Sequence, residues 1–359
     1  MGIILSNFLF GYDVNTEQRK KSIKDKDIKV SNNQDNKGVI KSINFISIYK
    51  IGNKFIRYIE QFPNGNLLIT TNEGIIISDK NFNILSEVET KTNNICIKND
   101  KIFASYDNKF LIDIWSYENN IITHIFQIKY DGRNEINHIE LLNNNDLVGL
   151  SSDTIFFYKA NLIKPNKYIY SKILILKYKS WIRNFIITKD EKHLIIQHEN
   201  NIEFYLIKTF EKIGYYKYDS LPGYENCTKL YIIDDHSFAL QLAHSPMTIM
   251  EPPDILIIID FKDLNNIKQL GIIRLNEYDP GCITKDKIFL FVNYFTRAIS
   301  VYDNVLKNEF NESKKTQESI KLCKRYYFNK YSTKIIVLSD NRLCVYCNST
   351  IDVYLIKND

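Results

Sequence analysis

Seven copies of a turn–strand–loop–strand unit, almost no helical periodicity, and steps between copies near the length of a four-stranded blade predict an all-β fold, a single seven-bladed β-propeller. The turns read Asn64-Gly65, Asn99-Asp100, Asn144-Asn145, Asp190-Glu191, Asp234-Asp235, Lys285-Asp286 and Asp340-Asn341. Asn, Asp and Gly suit such places because they tolerate left-handed backbone or bond to it locally. A strand follows each turn, starting near Leu67, Ile102, Leu147, Leu194, Phe238, Ile288 and Leu343, in steps of 35, 45, 47, 44, 50 and 55 residues. A blade takes roughly 40–45 residues, so the longer steps imply two or three elongated loops.

A second strand completes each unit. It spans residues 75–79 (IIISD), 112–116 (IDIWS), 155–159 (IFFYK), 202–206 (IEFYL), 256–260 (LIIID), 299–303 (ISVYD) and 351–355 (IDVYL). The first and third places are apolar in all seven, as the buried face of a strand requires. An aromatic holds the fourth place in five copies and Asp the fifth in three.

From about residue 43 to the C-terminus this pattern resembles the Ile-x-Ile-Trp-Asp strand of the WD-repeat family. Two departures stand out: the family's Gly-His dipeptide is absent, and Trp occupies its place once, at Trp115. The resemblance implies a ring closed by its own ends. The last unit offers three strands, at 334–338, 343–347 and 351–356, while an orphan strand at 43–49 precedes the first full blade. Donating that strand to the last blade would complete it and remove the exposed edge. The expected domains are therefore an N-terminal tail, 1–42, and the propeller, 43–359.

Composition bounds the function. Hydrophobic residues make up 44% and charged residues 25%, as in a globular protein with a core. Six cysteines in a chain this long are not a disulfide framework. The apolar start lacks a basic leader and is broken by Ser6 and Asn7, unlike a secretory signal. No apolar run nears the roughly 20 residues that cross a bilayer, so the expected location is cytoplasmic. Of the net charge of +5, most sits in the tail, where eight Lys/Arg face five acids. The remainder holds 39 basic and 37 acidic residues, a balance that predicts no nucleic-acid partner.

Chemistry-bearing motifs are sparse, and neither a catalytic set, a cofactor nor a metal site is expected. Cys344 and Cys347 make a lone C-x-x-C in a strand, where positions three apart point to opposite faces. His193 and His198 also face opposite ways. What remains is a surface for partners. In WD-repeat propellers the outer-to-inner connections share a face with the turns between the two middle strands, and the resemblance implies that this loop face binds other proteins. Here it carries Tyr130, Arg133, Tyr178, Trp181, Arg183, Tyr218, Tyr224 and Tyr278, residue types enriched in interface hot spots. A long loop at 243–254 adds Met247 and Met250, whose side chains give adaptable apolar contact.

One further motif has a mechanism. Met1-Gly2-Ile3-Ile4-Leu5-Ser6 fits the acceptor pattern for N-myristoylation of Gly2. A single acyl chain binds membrane only marginally, but Arg19, Lys20, Lys21, Lys24 and Lys26 supply a second, basic signal. The expected function is a non-catalytic scaffold for protein–protein interaction, tethered peripherally to a membrane by Gly2. One alternative is a lipid- or phosphoinositide-recognising propeller, although the paired arginines that such a family uses occur nowhere here. Another is a propeller enzyme, which would need His, Asp or Glu gathered along the central channel.

Overall fold

A computed structural model describes residues 40–92, 94–107, 109–164, 167–218, 224–244, 254–275, 281–284, 286–293, 298–302, 322–327 and 334–358. The chain opens with β1 (Ile40–Lys50) and then lays down its first blade as β2 (Ile56–Gln61), β3 (Leu67–Thr71), β4 (Gly74–Ser78) and β5 (Ile84–Glu89). Blade 2 is β6 (Asn94–Ile97), β7 (Ile102–Tyr106), β8 (Leu111–Glu118) and β9 (Ile121–Lys129). Blade 3 is β10 (His138–Leu141), β11 (Leu147–Ser151), β12 (Thr154–Lys164) and β13 (Lys167–Lys177). Blade 4 is β14 (Ile182–Ile187), β15 (His193–His198), β16 (Asn201–Leu206) and β17 (Lys212–Lys217). Blade 5 is β18 (Tyr224–Asp234), β19 (Ser237–His244), β20 (Ile255–Asp260) and β21 (Lys268–Arg274). Blade 6 is β22 (Cys282–Ile283), β23 (Phe289–Asn293), β24 (Ala298–Tyr302) and β25 (Leu322–Tyr327). The last strands, β26 (Lys334–Val337), β27 (Arg342–Cys347) and β28 (Thr350–Asn358), form a blade only with β1, in the order β1-β28-β27-β26.

Each blade is an antiparallel meander, and each is covered on both faces by its neighbours. The middle strands therefore bury both sides: every residue of β3, β4, β7 and β11 is buried. This is why they read as continuous β-branched runs rather than as strict alternation, and why Ile255–Asp260 is almost wholly apolar. Outer strands such as β5 and β17 alternate between exposed and half-buried positions. Seven apolar clusters form the core, one in each seam between adjacent blades. Leu68, Phe103 and Trp115 join blades 1 and 2, for example, and Ile59, Leu67, Cys344 and Val353 join blades 7 and 1.

The predicted closure is present. β1 pairs antiparallel with β28 from Ile40↔Asn358 to Lys50↔Thr350 and extends past the expected 43–49 at both ends. Ile40 and Ile43 drop into the seam between blades 6 and 7, while Tyr49 stacks on Phe82 of blade 1 at 4.3 Å.

The turns between inner and second strands repeat a local device. Asn64, Asn99, Asn144, Asp190, Asp234 and Asp340 each accept, through a side-chain oxygen, the backbone N–H two residues on. Gly65, Asn145, Glu191, Lys287 and Asn341 take left-handed φ values of 92°, 66°, 55°, 63° and 63°. One long step has a different cause from the loops expected. Between the starts of β11 and β15 the extra length lies in β12 and β13, each 11 residues long, which form a hairpin running past Lys159.

Candidate partner-binding face

The loop face is built where outer strands cross to the next inner strand. Between blades 3 and 4 that crossing is residues 177–183, Lys-Tyr-Lys-Ser-Trp-Ile-Arg, a connection that bends at Lys179 and Ser180 and in which exposure alternates. Lys177, Lys179, Trp181 and Arg183 are exposed, whereas Tyr178 and Ser180 are half-buried and Ile182 is buried. The exposed positions are thus three cations and a Trp that is 67% exposed. The backbone is pinned at both ends of the run. Tyr178 N–H donates to Asp153 O and Ile182 N–H to Ser152 O, each at 2.8 Å, on the turn between β11 and β12.

The inward side is held by a buried carboxylate. Glu203, on β16, is 7% exposed. The phenol oxygens of Tyr178 and Tyr205 lie 2.8 and 2.7 Å from its Oε2 and 2.9 Å from each other. Lys212 Nζ reaches Oε1 at 2.5 Å, and His198 Nε2 lies 3.4 Å from the same atom. Burial pushes the Glu203 carboxyl up, but the nearby His198 and hydrogen bonds from Lys212, Tyr205 and Tyr178 outweigh it and hold the group well below the carboxylate range. Burial, followed by bonding to Tyr205 and Glu203, raises the Tyr178 phenol far above its ordinary value. Both phenols thus stay protonated donors, and the Tyr178 ring is fixed under the exposed run.

Beside it, between blades 2 and 3, lies a polar cleft of about 440 Å³ lined by Arg133, Asp131, Asp153, Lys172 and Lys177. Lys172 Nζ pairs with Asp131 Oδ2 at 2.5 Å, and this bond lowers the Asp131 carboxyl. Tyr130 forms its floor: the ring is 4% exposed and stacks on Phe156 at 4.4 Å. Gly132 lets the ring lie there, since a Cβ at that position would sit 2.1 Å from it.

The expected contact residues therefore divide. Arg133, Trp181 and Arg183 are exposed, and Tyr178 supports them from below. Tyr130 and Tyr218 are corrected to core residues. Tyr218 is 1% exposed, and its OH donates to Glu199 O at 2.9 Å and receives the Gln197 amide at 3.0 Å. An amphipathic phenol whose hydroxyl finds a partner indoors has no need of the surface. Tyr224 opens β18, but its side chain lies outside the described residues, as do Tyr278, Met247, Met250 and Gly2. Residue-type reasoning missed Lys177, Lys179 and Glu203.

Around the axis, the inner strands place Glu60, Cys96, Lys229, Cys282 and Lys334. Burial, with help from Glu140, pushes the Glu60 carboxyl up to about 8 against a lowering bond from Ile97. Lys229 Nζ donates to Gly281 O at 3.0 Å and Lys334 Nζ to Arg57 O at 2.8 Å. Among the described residues no group of three or more His, Cys, Asp and Glu is placed to hold a metal ion. His193 and His198 part as expected, the first facing Phe261 and the second Tyr178.

These features define a seven-bladed β-propeller whose loop face, among the described residues, exposes Trp181 with Arg133 and Arg183. The comparisons agree on the fold. The β-propeller domain of Cps50 (Swd1) from Myceliophteria thermophila superposes with a TM-score of 0.65 at 10% identity, covering 88% of this chain and all (100%) of that one. A protein from Lactobacillus plantarum superposes with a TM-score of 0.58 at 12% identity, covering 77% of this chain and 86% of that one. No protein-family model and no curated protein sequence matches the chain.

Proposed function

We propose that this protein is a non-catalytic scaffold that binds other proteins through the loop face of its ring. The observation that carries the reading is Trp181, two-thirds exposed (67%) on a segment whose backbone is pinned at both ends and whose underside is locked by Glu203. A large aromatic held rigid in solvent binds with little further loss of conformational entropy, which is the property of an interface anchor. The fold it shares with the Swd1 propeller domain fits this reading.

The test is affinity capture from the native host with the Trp181→Ala/Arg183→Ala protein beside the wild type. Loss of the captured proteins with an unchanged melting curve supports the reading, and an unchanged partner set refutes it. The Gly2 pattern and its trailing basic residues support a second element of the proposal, a myristoyl tether that holds the scaffold peripherally at the cytoplasmic side of a membrane. The intact mass of the protein from its host checks it, because unmodified Gly2 removes the tether.

A further inference from the structure

We propose that the outer hairpin of blade 3 is a membrane-inserting finger that takes the surface of a bilayer containing anionic lipid. The inference goes beyond the scaffold reading and needs neither the loop face nor an acyl chain on Gly2. β12 makes its last pairing with β11 at Tyr158, opposite Leu147, and then runs on to Lys164, about 20 Å of further strand. Over that length it pairs with β13 alone. Strands of a meander alternate in direction, so the turn joining third to fourth strands stands on the rim opposite the loop face, and the hairpin projects from that rim.

The finger is bare on both of its faces. Leu162, 62% exposed, pairs with Tyr168, which packs on the seam with blade 2. Ile169, the next residue along β13, points to the other face and is 45% exposed. Ile163, at the bulge beyond Leu162, is 49% exposed. A protein partner covers one face of a hairpin, whereas a bilayer interface surrounds it. Penetration of about 5–10 Å keeps the unpaired strand edges among hydrated headgroups, where water satisfies them.

The neighbouring blades extend the apolar rim. Ile84 and Ile121, 56% and 62% exposed, open the outer strands of blades 1 and 2 on that side, whereas blades 4 and 5 open theirs with exposed Lys212 and Lys268. Charge selects the lipid. Between Asp153 and Asp190 the chain holds eight Lys/Arg and no Asp or Glu, and Lys159, Lys164 and Lys167 flank the aliphatic residues in sequence. Lysines beside inserting side chains attract an anionic leaflet. A nucleic acid would use those lysines and leave the aliphatic side chains in water.

The experiment is co-sedimentation of the full chain, purified unacylated and untagged, with phosphatidylcholine vesicles that contain or lack phosphatidylserine. Binding is expected with phosphatidylserine, weaker without it, and reduced about tenfold by Leu162→Ser/Ile163→Ser with an unchanged melting curve. Phe55→Ser removes a side chain as bare (56% exposed) in the β1–β2 crossing on the loop face and should leave binding intact. Binding only after acylation of Gly2, equal binding to both vesicles, no effect of Leu162→Ser/Ile163→Ser, or an equal loss with Phe55→Ser overturns the finger. The scaffold reading stands or falls on Trp181→Ala/Arg183→Ala, so the two are judged apart.

Discussion

Replacing Glu203 by Gln tests whether a buried charge holds the loop face in place. The substitution keeps the shape of the side chain and removes its charge. The bonds from Tyr178 and Tyr205, at 2.8 and 2.7 Å, fall from charge-assisted to neutral, a loss of about 1 kcal/mol each. Lys212 is 43% exposed and returns to water at little cost, so its bond adds little. The expected destabilisation is about 2 kcal/mol. With an unfolding entropy of about 2.1 cal/mol/K per residue, a chain of 359 residues loses about 3 °C in Tm.

The pH dependence has a definite sign. The folded carboxyl is held below its ordinary range, so the unfolded chain takes up the proton first as the pH falls. The advantage of Glu over Gln is therefore complete above about pH 5.5 and is lost progressively below about pH 4.3. Urea unfolding of both proteins by far-ultraviolet circular dichroism between pH 7 and acid reads this directly. A difference under about 0.5 kcal/mol at pH 7, or one that persists unchanged into acid, refutes the account.

Two other substitutions probe the frame. Ile43→Ala removes a side chain that is 2% exposed in the closing seam and should cost about 2–5 kcal/mol, with faster limited proteolysis near both chain ends; Ile46→Ala on the same strand, 49% exposed, should stay within about 0.5 kcal/mol. Gly132→Ala drives a methyl to 2.1 Å from the Tyr130 ring, which Phe156 blocks from behind, so a loss of about 1–3 kcal/mol is expected in thermal melts.

The repeat was legible because a blade buries both faces of its middle strands, which leaves uninterrupted β-branched runs such as those in β4 and β20. The turns were legible for a chemical reason, since Asn and Asp at fixed offsets bond to their own backbone. The long hairpin of β12 and β13 was not, because Leu162, Ile163 and Ile169 face solvent among lysines and give no clean period. On the loop face, residue type picked out Trp181 and Arg183 but misassigned Tyr130 and Tyr218. Tyrosine serves both core and surface, and which it serves depends on what the neighbouring blade places against it, here Phe156 for one and the Gln197 amide for the other. Glu203 was hidden because, although Tyr205 shares its strand, Tyr178 and Lys212 reach it from other segments of the chain.

The pairing of Ile40 with Asn358 also fixes on which rim the described chain enters and leaves the ring. β1 ends on the loop face, where it crosses to β2, so it begins on the opposite rim, and β28 finishes beside it. Both Ile40 and Asn358 thus lie on the rim opposite the loop face. A purification handle joined after Asn358 would therefore leave Trp181 and its neighbouring lysines unobstructed.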